Sequence, residues 1–212
     1  MTAAAATAAA IDVVLFDMEG VLSHYDREAR AARLAALTGT TPEAVREAIW
    51  GSGLEARADA GELAPEVYLR ALGELLGCAM DRETWLTARH ASITPNDAAI
   101  ALAGRTARRC RIAVLTNNCR LVTDHLDYLN PPVAELFGER VYASASFGAV
   151  KPAAQAYLGC LAQLGVAPRA TLFIDDGEAN VQGALDAGLH ACRFVDVETL
   201  AQDLQRFGVI DG

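Results

Sequence analysis

Short apolar runs recur along the chain and are separated by longer segments of mixed polarity. Each run is rich in β-branched or aliphatic residues and lacks the alternation of apolar and polar positions that marks a half-exposed strand. Such runs are typical of strands that are buried on both faces of a parallel sheet. The predicted strands cover residues 11–16, 112–115, 141–143, 171–174 and 191–195.

Helix-length segments lie between the later strands. Residues 153–164 end before Gly165 and residues 178–187 end before Gly188, and glycine is the residue that most often closes a helix at its C-terminus. Strands that alternate with helices predict a parallel, doubly wound sheet. The sequence therefore predicts an α/β fold.

Residues 23–93 break this alternation, because they contain helical patterns and no convincing strand. Thr41 and Asp81 are predicted N-caps within this stretch. The four predicted helices cover residues 26–37, 42–50, 64–76 and 81–90. We therefore predict a helical insertion between the first and second strands of the sheet. The predicted division of the chain is a disordered leader at 1–10, an α/β core at 11–22 and 94–212, and the insertion at 23–93.

Composition narrows the class of protein. Hydrophobic residues make up 52% of the 212 residues and charged residues 21%, but no uncharged run reaches the roughly 18 to 20 residues needed to span a bilayer. The Ala- and Thr-rich residues 1–10 lack the basic start of a secretion signal. The five cysteines are scattered, without the close pairs of zinc sites or disulfide scaffolds. We expect no membrane association and a reducing, cytoplasmic location.

The charge balance bears on possible partners. The net charge is −9, and nucleic-acid binding depends largely on many cationic side chains that neutralise phosphates. We therefore expect no nucleic-acid partner, whereas a small anion at a local site is compatible with this charge. The sequence leaves open whether the chain is a monomer or a homodimer.

Polar residues stand close after the predicted strands. In a parallel sheet the loops that leave the carboxyl ends of neighbouring strands converge, so these residues are able to form one site. They are Asp17 and Glu19, Thr116 and Asn117, Lys151, and Asp175 and Asp176.

This set of side chains suits phosphoryl transfer. A carboxylate can attack phosphorus and form an aspartyl-phosphate, while a hard divalent cation offsets the repulsion between two anions. Hydroxyl, amide and ammonium donors can hold the non-bridging oxygens, where charge must be stabilised in the transition state. Asp17, at the end of the first strand, is the candidate nucleophile.

Four ordered motifs resemble those of the haloacid dehalogenase superfamily. They read VVLFDMEGVL, AVLTNN, GAVKP and TLFIDDGEANV. The resemblance implies a Rossmann-like sheet and a small helical type-1 cap domain, which the insertion would form. It also implies Mg²⁺-dependent hydrolysis of a small phosphorylated metabolite. The motifs look most similar to those of bacterial sugar-phosphate phosphatases and of the phosphatase domain of soluble epoxide hydrolase, so a sugar phosphate is an expected substrate.

The resemblance also implies a Mg²⁺ site. By position in the motifs, Asp17 is the nucleophile and a metal ligand, and Glu19 is a ligand through its backbone carbonyl. Asp176 is expected to bind the metal directly, and Asp175 through a water molecule.

The second and third motifs imply the phosphate-binding residues. Thr116 and Asn117 are expected to bind the phosphate of the substrate. Lys151 is expected both to bind that phosphate and to neutralise charge during catalysis.

Glu19 departs from the usual pattern, because most phosphatases of this superfamily have Asp two residues after the nucleophile. The side chain at this position is expected to protonate the leaving oxygen and then to activate water. Glutamate has the same carboxylate as aspartate on a side chain that is longer by one methylene group. The added length could shift the proton donor and lower the rate of catalysis. The enolase-phosphatase branch also has Glu here, but the rest of this chain resembles it less.

Three other functions remain open. In a haloacid dehalogenase, Asp17 would attack carbon without Mg²⁺, but the dehalogenases of the superfamily lack an acid at the position of Glu19. A phosphometabolite-binding module with weak catalysis would have the same fold with its activity lowered by Glu19. A phosphomutase would use the same chemistry for phosphate transfer.

Overall fold

A computed structural model describes residues 10–211 of the chain. Within this part of the chain, seven strands form two sheets. They are β1 (Val13–Phe16), β2 (Ser23–Tyr25), β3 (Ile93–Pro95), β4 (Arg111–Thr116), β5 (Val141–Ala143), β6 (Thr171–Asp175) and β7 (His190–Arg193). The larger sheet has the order β5, β4, β1, β6, β7, and all its neighbouring strands are parallel. The predicted α/β fold with a parallel sheet is confirmed.

Helices cover the larger sheet and also form a separate group between β2 and β3. The first five are α1 (Arg27–Thr38), α2 (Pro42–Arg46), α3 (Leu54–Asp59), α4 (Pro65–Leu76) and α5 (Arg82–His90). The later ones are α6 (Asp97–Thr106), α7 (Arg120–Thr123), α8 (Leu126–Leu129), α9 (Pro131–Phe137), α10 (Ala154–Leu164), α11 (Glu178–Asp186) and α12 (Val197–Arg206). We call the segment from α1 to α5 the helical insertion, and its presence agrees with the prediction.

Strand β1 lies at the centre of the larger sheet and is buried on both faces. Val14 and Phe16 belong to the apolar cluster on one face, whereas Val13 and Leu15 belong to the cluster on the other. None of these four residues has exposed surface. Since β4 and β6 flank β1, the residue that follows β1 emerges beside the ends of two neighbouring strands.

The predicted capping residues lie at the helix ends. The Asp81 carboxylate accepts a hydrogen bond of 2.7 Å from the Thr84 amide, and the Thr41 hydroxyl accepts one of 3.2 Å from the Ala44 amide. Each bond satisfies a backbone N–H group that the first turn of a helix leaves without a partner. Gly165 closes α10 in the left-handed conformation, with φ of 63°.

The expectation that residues 23–93 contain no strand is wrong. Strands β2 and β3 pair antiparallel and form a ribbon at the two ends of the insertion. Each strand has only three residues, which is too few to produce a recognisable alternation of side chains. The predicted helix at 42–50 is also divided, because α2 ends at Arg46 and a π-helical turn follows over Glu47–Gly51. Helix α3 was not predicted.

A buried polar network joins four helices of the insertion. Arg30 of α1 donates to Glu55 of α3 at 2.5 Å and to the hydroxyl of Tyr68 of α4 at 3.2 Å. The Tyr68 hydroxyl donates in turn to Glu55 and accepts from the indole N–H of Trp85 of α5 at 3.3 Å. A buried charge is tolerated only where partners satisfy it. The insertion is therefore held together by hydrogen bonds as well as by apolar packing.

The insertion also contacts the core directly near the end of α3. The Ser144 hydroxyl donates to the backbone carbonyl of Asp59 at 2.7 Å. A Cβ atom at Gly61 would lie 2.3 Å from the backbone oxygen of Ala145. Only glycine lets the two backbones approach this closely.

Some sequence predictions are not tested by the fold. Residues 1–9, which form most of the predicted leader, lie outside the described residues. The exact division into core and cap domains stays a prediction. In the part of the chain that the structure covers, no helix has the length and apolar character needed to cross a membrane.

We expect the substitution Gly61→Ala to destabilise the protein more than Gly39→Ala. Both glycines have positive φ, 78° and 69°, but nothing lies within 4 Å of a Cβ atom at Gly39. Both variants therefore carry the cost of a left-handed alanine, whereas only Gly61→Ala adds a backbone clash. The difference in the free energy of unfolding, measured in urea, should be about 1 to 3 kcal/mol. Equal losses would contradict a close contact at this position.

Candidate functional site

Asp17 follows directly after β1 and extends its pairing with β6. The Asp17 amide donates to the carbonyl of Ile174 at 2.8 Å, and the Asp17 carboxylate accepts from the Met18 amide at 2.7 Å. The residue is 7% exposed. Its carboxylate is therefore fixed at the carboxyl end of the sheet and is largely shielded from water.

Three carboxylates meet at this end of the sheet. Asp175 is the last residue of β6 and Asp176 follows it, and β6 is a direct neighbour of β1. One oxygen from each of Asp17, Asp175 and Asp176 lies within 4.8 Å of the others. The predicted convergence of these three residues is therefore present in the structure.

Lys151 bridges two of these carboxylates. Its ammonium lies 2.7 Å from Asp17 Oδ1 and 2.7 Å from Asp175 Oδ2, and the residue is 3% exposed. The side-chain amide of Asn117 forms two hydrogen bonds with the backbone of Lys151. Asn117 Nδ2 donates to the Lys151 carbonyl at 2.9 Å, and Asn117 Oδ1 accepts from the Lys151 N–H at 2.8 Å. The Asn117 side chain is thus engaged in placing Lys151, and its predicted contact with phosphate stays a prediction.

The crowding of charge shifts the pKa values in the cluster. Burial, reinforced by Asp175, raises the pKa of Asp17 to about 7, although Lys151 opposes the shift. Burial and then Asp175 also raise the pKa of Asp176. Burial disfavours the charge on Lys151, yet Asp17 and Asp175 raise its pKa above the ordinary value. One ammonium does not neutralise three carboxylates, so the cluster favours an added cation.

The donor set fits a hard divalent cation such as Mg²⁺, because all of its ligand atoms are oxygens. Asp175 is already hydrogen-bonded by the Gly177 amide at 2.8 Å and by the Asn180 amide at 3.0 Å, in addition to Lys151. The carboxylate of Asp176 receives no side-chain hydrogen bond from the described residues and is exposed. Of these two residues, Asp176 is the one with free lone pairs for a metal.

Gly20 permits the approach of the first loop to Asp176. A Cβ atom at Gly20 would lie 2.5 Å from the Asp176 carboxylate, and the φ of Gly20 is 95°. A larger side chain would therefore push the loop after β1 away from the end of β6. The backbone of Glu19, the predicted carbonyl ligand, belongs to this same loop.

Thr116 lies at the end of β4 on the other side of β1 and has no exposed surface. Its hydroxyl accepts a hydrogen bond of 2.7 Å from the Asn118 amide. A hydroxyl that accepts from one neighbour keeps its own hydrogen for another acceptor. Thr116 is therefore able to donate to an anion bound beside Asp17.

Both oxygens of Glu19 are engaged by neighbours. One forms an ion pair with Arg89 of α5, and the other accepts from the Asn118 amide at 2.7 Å. Arg89 is 2% exposed, and its guanidinium also stacks on Tyr25, 4.2 Å from the ring centroid. The insertion thus contributes a buried cation to the side chain that is predicted to act as acid and base.

Sequence analysis assigned no role to Arg89 or Asn118. A signal for Arg89 was present, because it follows Trp85 by four residues and so lies on the same, buried face of α5. Asn118 was visible in the second motif, but nothing in the sequence indicates that it contacts both Thr116 and Glu19.

A cavity of about 320 Å³ lies between the insertion and the carboxyl end of the sheet. A larger groove of about 780 Å³ runs between α4 and α5, but none of the predicted site residues lines it. The smaller cavity is lined by Glu19, Tyr25, Arg27, Trp50, Glu55, Ala56, Asp59, Arg89, Asn117 and Asn118. Among the predicted site residues, Glu19 and Asn117 line this cavity.

Known proteins resemble this chain over most of its length. A phosphatase of Mycobacterium tuberculosis, MT3486, is 31% identical over 188 residues, which are 85% of this chain and 86% of that protein. A solved structure from Porphyromonas gingivalis, described as a predicted hydrolase of the haloacid dehalogenase-like family, has 26% identity and a TM-score of 0.77. The match covers 93% of this chain and 98% of that chain.

A second solved structure supports the fold alone. It is an enzyme of the same family from Bacteroides thetaiotaomicron in complex with magnesium and inorganic phosphate, with 20% identity and a TM-score of 0.72. The match covers 90% of this chain and 98% of that chain.

A model of the family described as haloacid dehalogenase-like hydrolases matches residues 11–188. This range includes all four motifs and the helical insertion. The resemblance seen in the sequence is thereby confirmed, and the chain belongs to the haloacid dehalogenase-like hydrolases.

Proposed function

We propose that this hydrolase is a Mg²⁺-dependent phosphatase that releases phosphate from a small phosphorylated metabolite through an aspartyl-phosphate on Asp17. The observation that carries the proposal is the placement of the buried Asp17 carboxylate beside Asp175, Asp176 and the ammonium of Lys151. The phosphatase MT3486, which is similar over most of the chain, supports the same class of reaction. Sugar phosphates are the substrates to test first.

The proposed metal ligands are the carboxylates of Asp17 and Asp176 and the backbone carbonyl of Glu19, with Asp175 acting through water. When bound, Mg²⁺ supplies positive charge that offsets the repulsion between the carboxylates and the phosphate. The free lone pairs of Asp176 and its closeness to Gly20 support this assignment. The hydrogen bonds that already occupy Asp175 support its indirect role.

The first chemical step uses Asp17 as the nucleophile. Asp17 Oδ1 accepts from Lys151 and from the Met18 amide, so Oδ2 is the oxygen with free electron pairs. Oδ2 forms a bond to phosphorus while the bond between phosphorus and the leaving oxygen breaks. Lys151 and the Thr116 hydroxyl stabilise the negative charge on the non-bridging oxygens. The product of this step is the aspartyl-phosphate and an alcohol.

Glu19 is the proposed proton donor to the leaving oxygen and the base in the second step. There it removes a proton from the water that attacks phosphorus, and the bond from phosphorus to Asp17 breaks. Because Arg89 and Asn118 engage both of its oxygens, Glu19 must exchange one of these partners to reach the leaving group. The same engagement favours a second candidate function, a phosphometabolite-binding module with weak catalysis.

We expect Asp17→Asn to abolish phosphate release while the fold is retained. The amide keeps the size of the side chain but is not a nucleophile, so turnover should fall by more than about 10³-fold. Acid quenching of the wild-type enzyme with a labelled ester should trap a phosphorylated protein that the variant does not form. Asp12→Asn, at the exposed residue that directly precedes β1, is the control. A folded Asp17→Asn variant with most of its activity would rule out the mechanism.

Removal of divalent metal should also stop phosphate release. EDTA is expected to abolish turnover and added Mg²⁺ to restore it, since three carboxylates and a phosphate repel one another without a cation. Phosphate release should be measured with the same ester throughout. Release of halide from a haloacid in the presence of EDTA would instead support the dehalogenase function.

We expect Glu19→Gln to lower turnover by roughly 10² to 10⁴-fold, the range of general acid–base catalysis. Esters with good leaving groups, such as nitrophenyl phosphate, need less protonation of the departing oxygen. They should show a burst followed by a slow steady state, because breakdown of the aspartyl-phosphate still needs a base. Glu135→Gln, on the exposed side of α9, is the matched control.

An unchanged rate of Glu19→Gln with an alkyl phosphate would show that Glu19 is not the proton donor. In that case a phosphometabolite-binding module with weak catalysis would better explain why Glu is present at position 19. Mg²⁺ affinity, measured by calorimetry, should be similar in the variant and the wild type, because the proposed ligand is the backbone carbonyl of Glu19.

A further inference from the structure

Arg89, Glu19 and Asn118 form a closed ring of hydrogen bonds that joins three separate segments of the chain. Arg89 Nη2 donates to Glu19 Oε1 and also to Asn118 Oδ1, the latter at 2.7 Å. Asn118 Nδ2 donates in turn to Glu19 Oε2 at 2.7 Å. Arg89 belongs to α5 of the insertion, whereas Glu19 follows β1 and Asn118 follows β4. The Glu19 carboxylate is therefore held at both oxygens, by two segments other than its own.

The buried guanidinium of Arg89 depends on this ring. The residue is 2% exposed, and the ring of Tyr25 lies against its guanidinium. Arg89 also forms an ion pair with Glu55 at 3.7 Å, but Glu55 is already paired with Arg30 at 2.5 Å. A buried cation needs a close partner of opposite charge. Among the described residues, Glu19 is the only carboxylate within hydrogen-bond distance of Arg89.

The length of the glutamate side chain is what brings its carboxylate to Arg89. The substitution Glu19→Asp would withdraw the carboxylate by one carbon–carbon bond, which is about 1.5 Å long. A hydrogen bond does not survive such a lengthening, so the guanidinium would lose its partner. The departure from the usual aspartate at this position is therefore matched by a cation on the insertion.

The two oxygens of Glu19 are held with different strength. Arg89 and the carboxylate carry opposite charges, whereas the Asn118 amide is neutral, so the hydrogen bond to Oε1 is the stronger one. The Glu19 side chain is 19% exposed and lines the cavity of about 320 Å³. When a leaving oxygen replaces one of the two partners, Oε2 is thus the oxygen that is released, while Oε1 stays bound to Arg89.

We infer that Arg89 is a positioning residue for Glu19, which it holds at Oε1 while Oε2 transfers the proton. The inference rests on the proposed function, in which Glu19 gives a proton to the leaving oxygen and later takes one from water. Arg89 contacts neither the phosphate nor the leaving oxygen in this arrangement and acts only through Glu19. The engagement of Glu19 in the ring then serves catalysis, in contrast to the binding-module function.

The test is a double-mutant cycle in turnover between Glu19 and Arg89, measured with an alkyl phosphate and Mg²⁺. Glu19→Asp, which introduces the residue usual in the superfamily, should lower kcat by about 10²-fold, the loss expected for a misplacement of about 1 Å. Arg89→Lys keeps the charge but not the planar guanidinium, and it should lower kcat by about 10- to 100-fold. KM should change little in both variants, because neither side chain is proposed to bind the phosphate.

Non-additivity of the two losses is the decisive readout. If Arg89 acts only through Glu19, the double variant should be as fast as Glu19→Asp alone, within about 2-fold. Independent roles would multiply the two losses, and that result would overturn the proposal. A kcat of Glu19→Asp equal to or above that of the wild type would overturn it as well. This arm leaves Arg89 in place, so it does not require Arg89→Lys to fold.

Arg30→Lys is the matched control for a loosened insertion. Arg30 is 1% exposed and pairs with Glu55, but it has no hydrogen bond or ion pair with Glu19 in the part of the chain that the structure describes. Any effect of Arg30→Lys on kcat should be the same factor in the wild type and in the Glu19→Asp variant. Coupling to Glu19 as strong as that of Arg89→Lys would assign the effect to packing of the insertion and would overturn the positioning role.

Failure of the proposed function gives a different result. A wild type that releases no phosphate from any ester with Mg²⁺ would overturn the phosphatase proposal, and the positioning role with it. An active wild type whose Glu19→Asp and Arg89→Lys losses multiply would overturn the positioning role alone. Melting temperatures of all variants, measured alongside, establish that each is folded at the temperature of the assay.

Discussion

The repulsion between carboxylates at the ends of two adjacent parallel strands is the constraint on which the rest of the site depends. Strand β1 delivers Asp17 and strand β6 delivers Asp175 to the same edge of the sheet, where both are buried. Such a pair is unfavourable unless positive charge and hydrogen bonds offset it. The buried ammonium of Lys151 meets this need, and Asn117 fixes the backbone that carries the ammonium. What remains is an excess of negative charge, which is the condition for binding a divalent cation.

The insertion completes the site from the opposite side. Arg89 crosses from α5 to Glu19, a residue 70 positions away in sequence, and to Asn118 of the second motif. In the proposed mechanism, the loops of the sheet supply the groups around phosphorus, and the insertion supplies the cation beside Glu19, the proposed proton donor. Under that mechanism, a change within the insertion would affect Glu19 without altering the carboxylate cluster.

The sequence was sufficient to predict the sheet and the cluster, because both follow from local pattern. A buried strand followed by a carboxylate is visible as an apolar run followed by Asp, as at residues 11–17 and 171–176. The contacts of Arg89 with Glu19 and Asn118 could not be predicted in the same way, since they depend on how the insertion packs against the core. The ribbon of β2 and β3 was missed because three-residue strands leave almost no pattern, and the π-helical turn at Glu47–Gly51 because its residues also suit an α-helix.

The polar network of Arg30, Glu55, Tyr68 and Trp85 has a mechanical consequence. Its hydrogen bonds connect α1, α3, α4 and α5. Loss of any one partner would leave a buried polar or charged group without a partner, which costs stability. Bending within the insertion would break several of these bonds at once. The network therefore makes the insertion stiff within itself, so that any movement against the core would carry α1, α3, α4 and α5 together as one rigid unit.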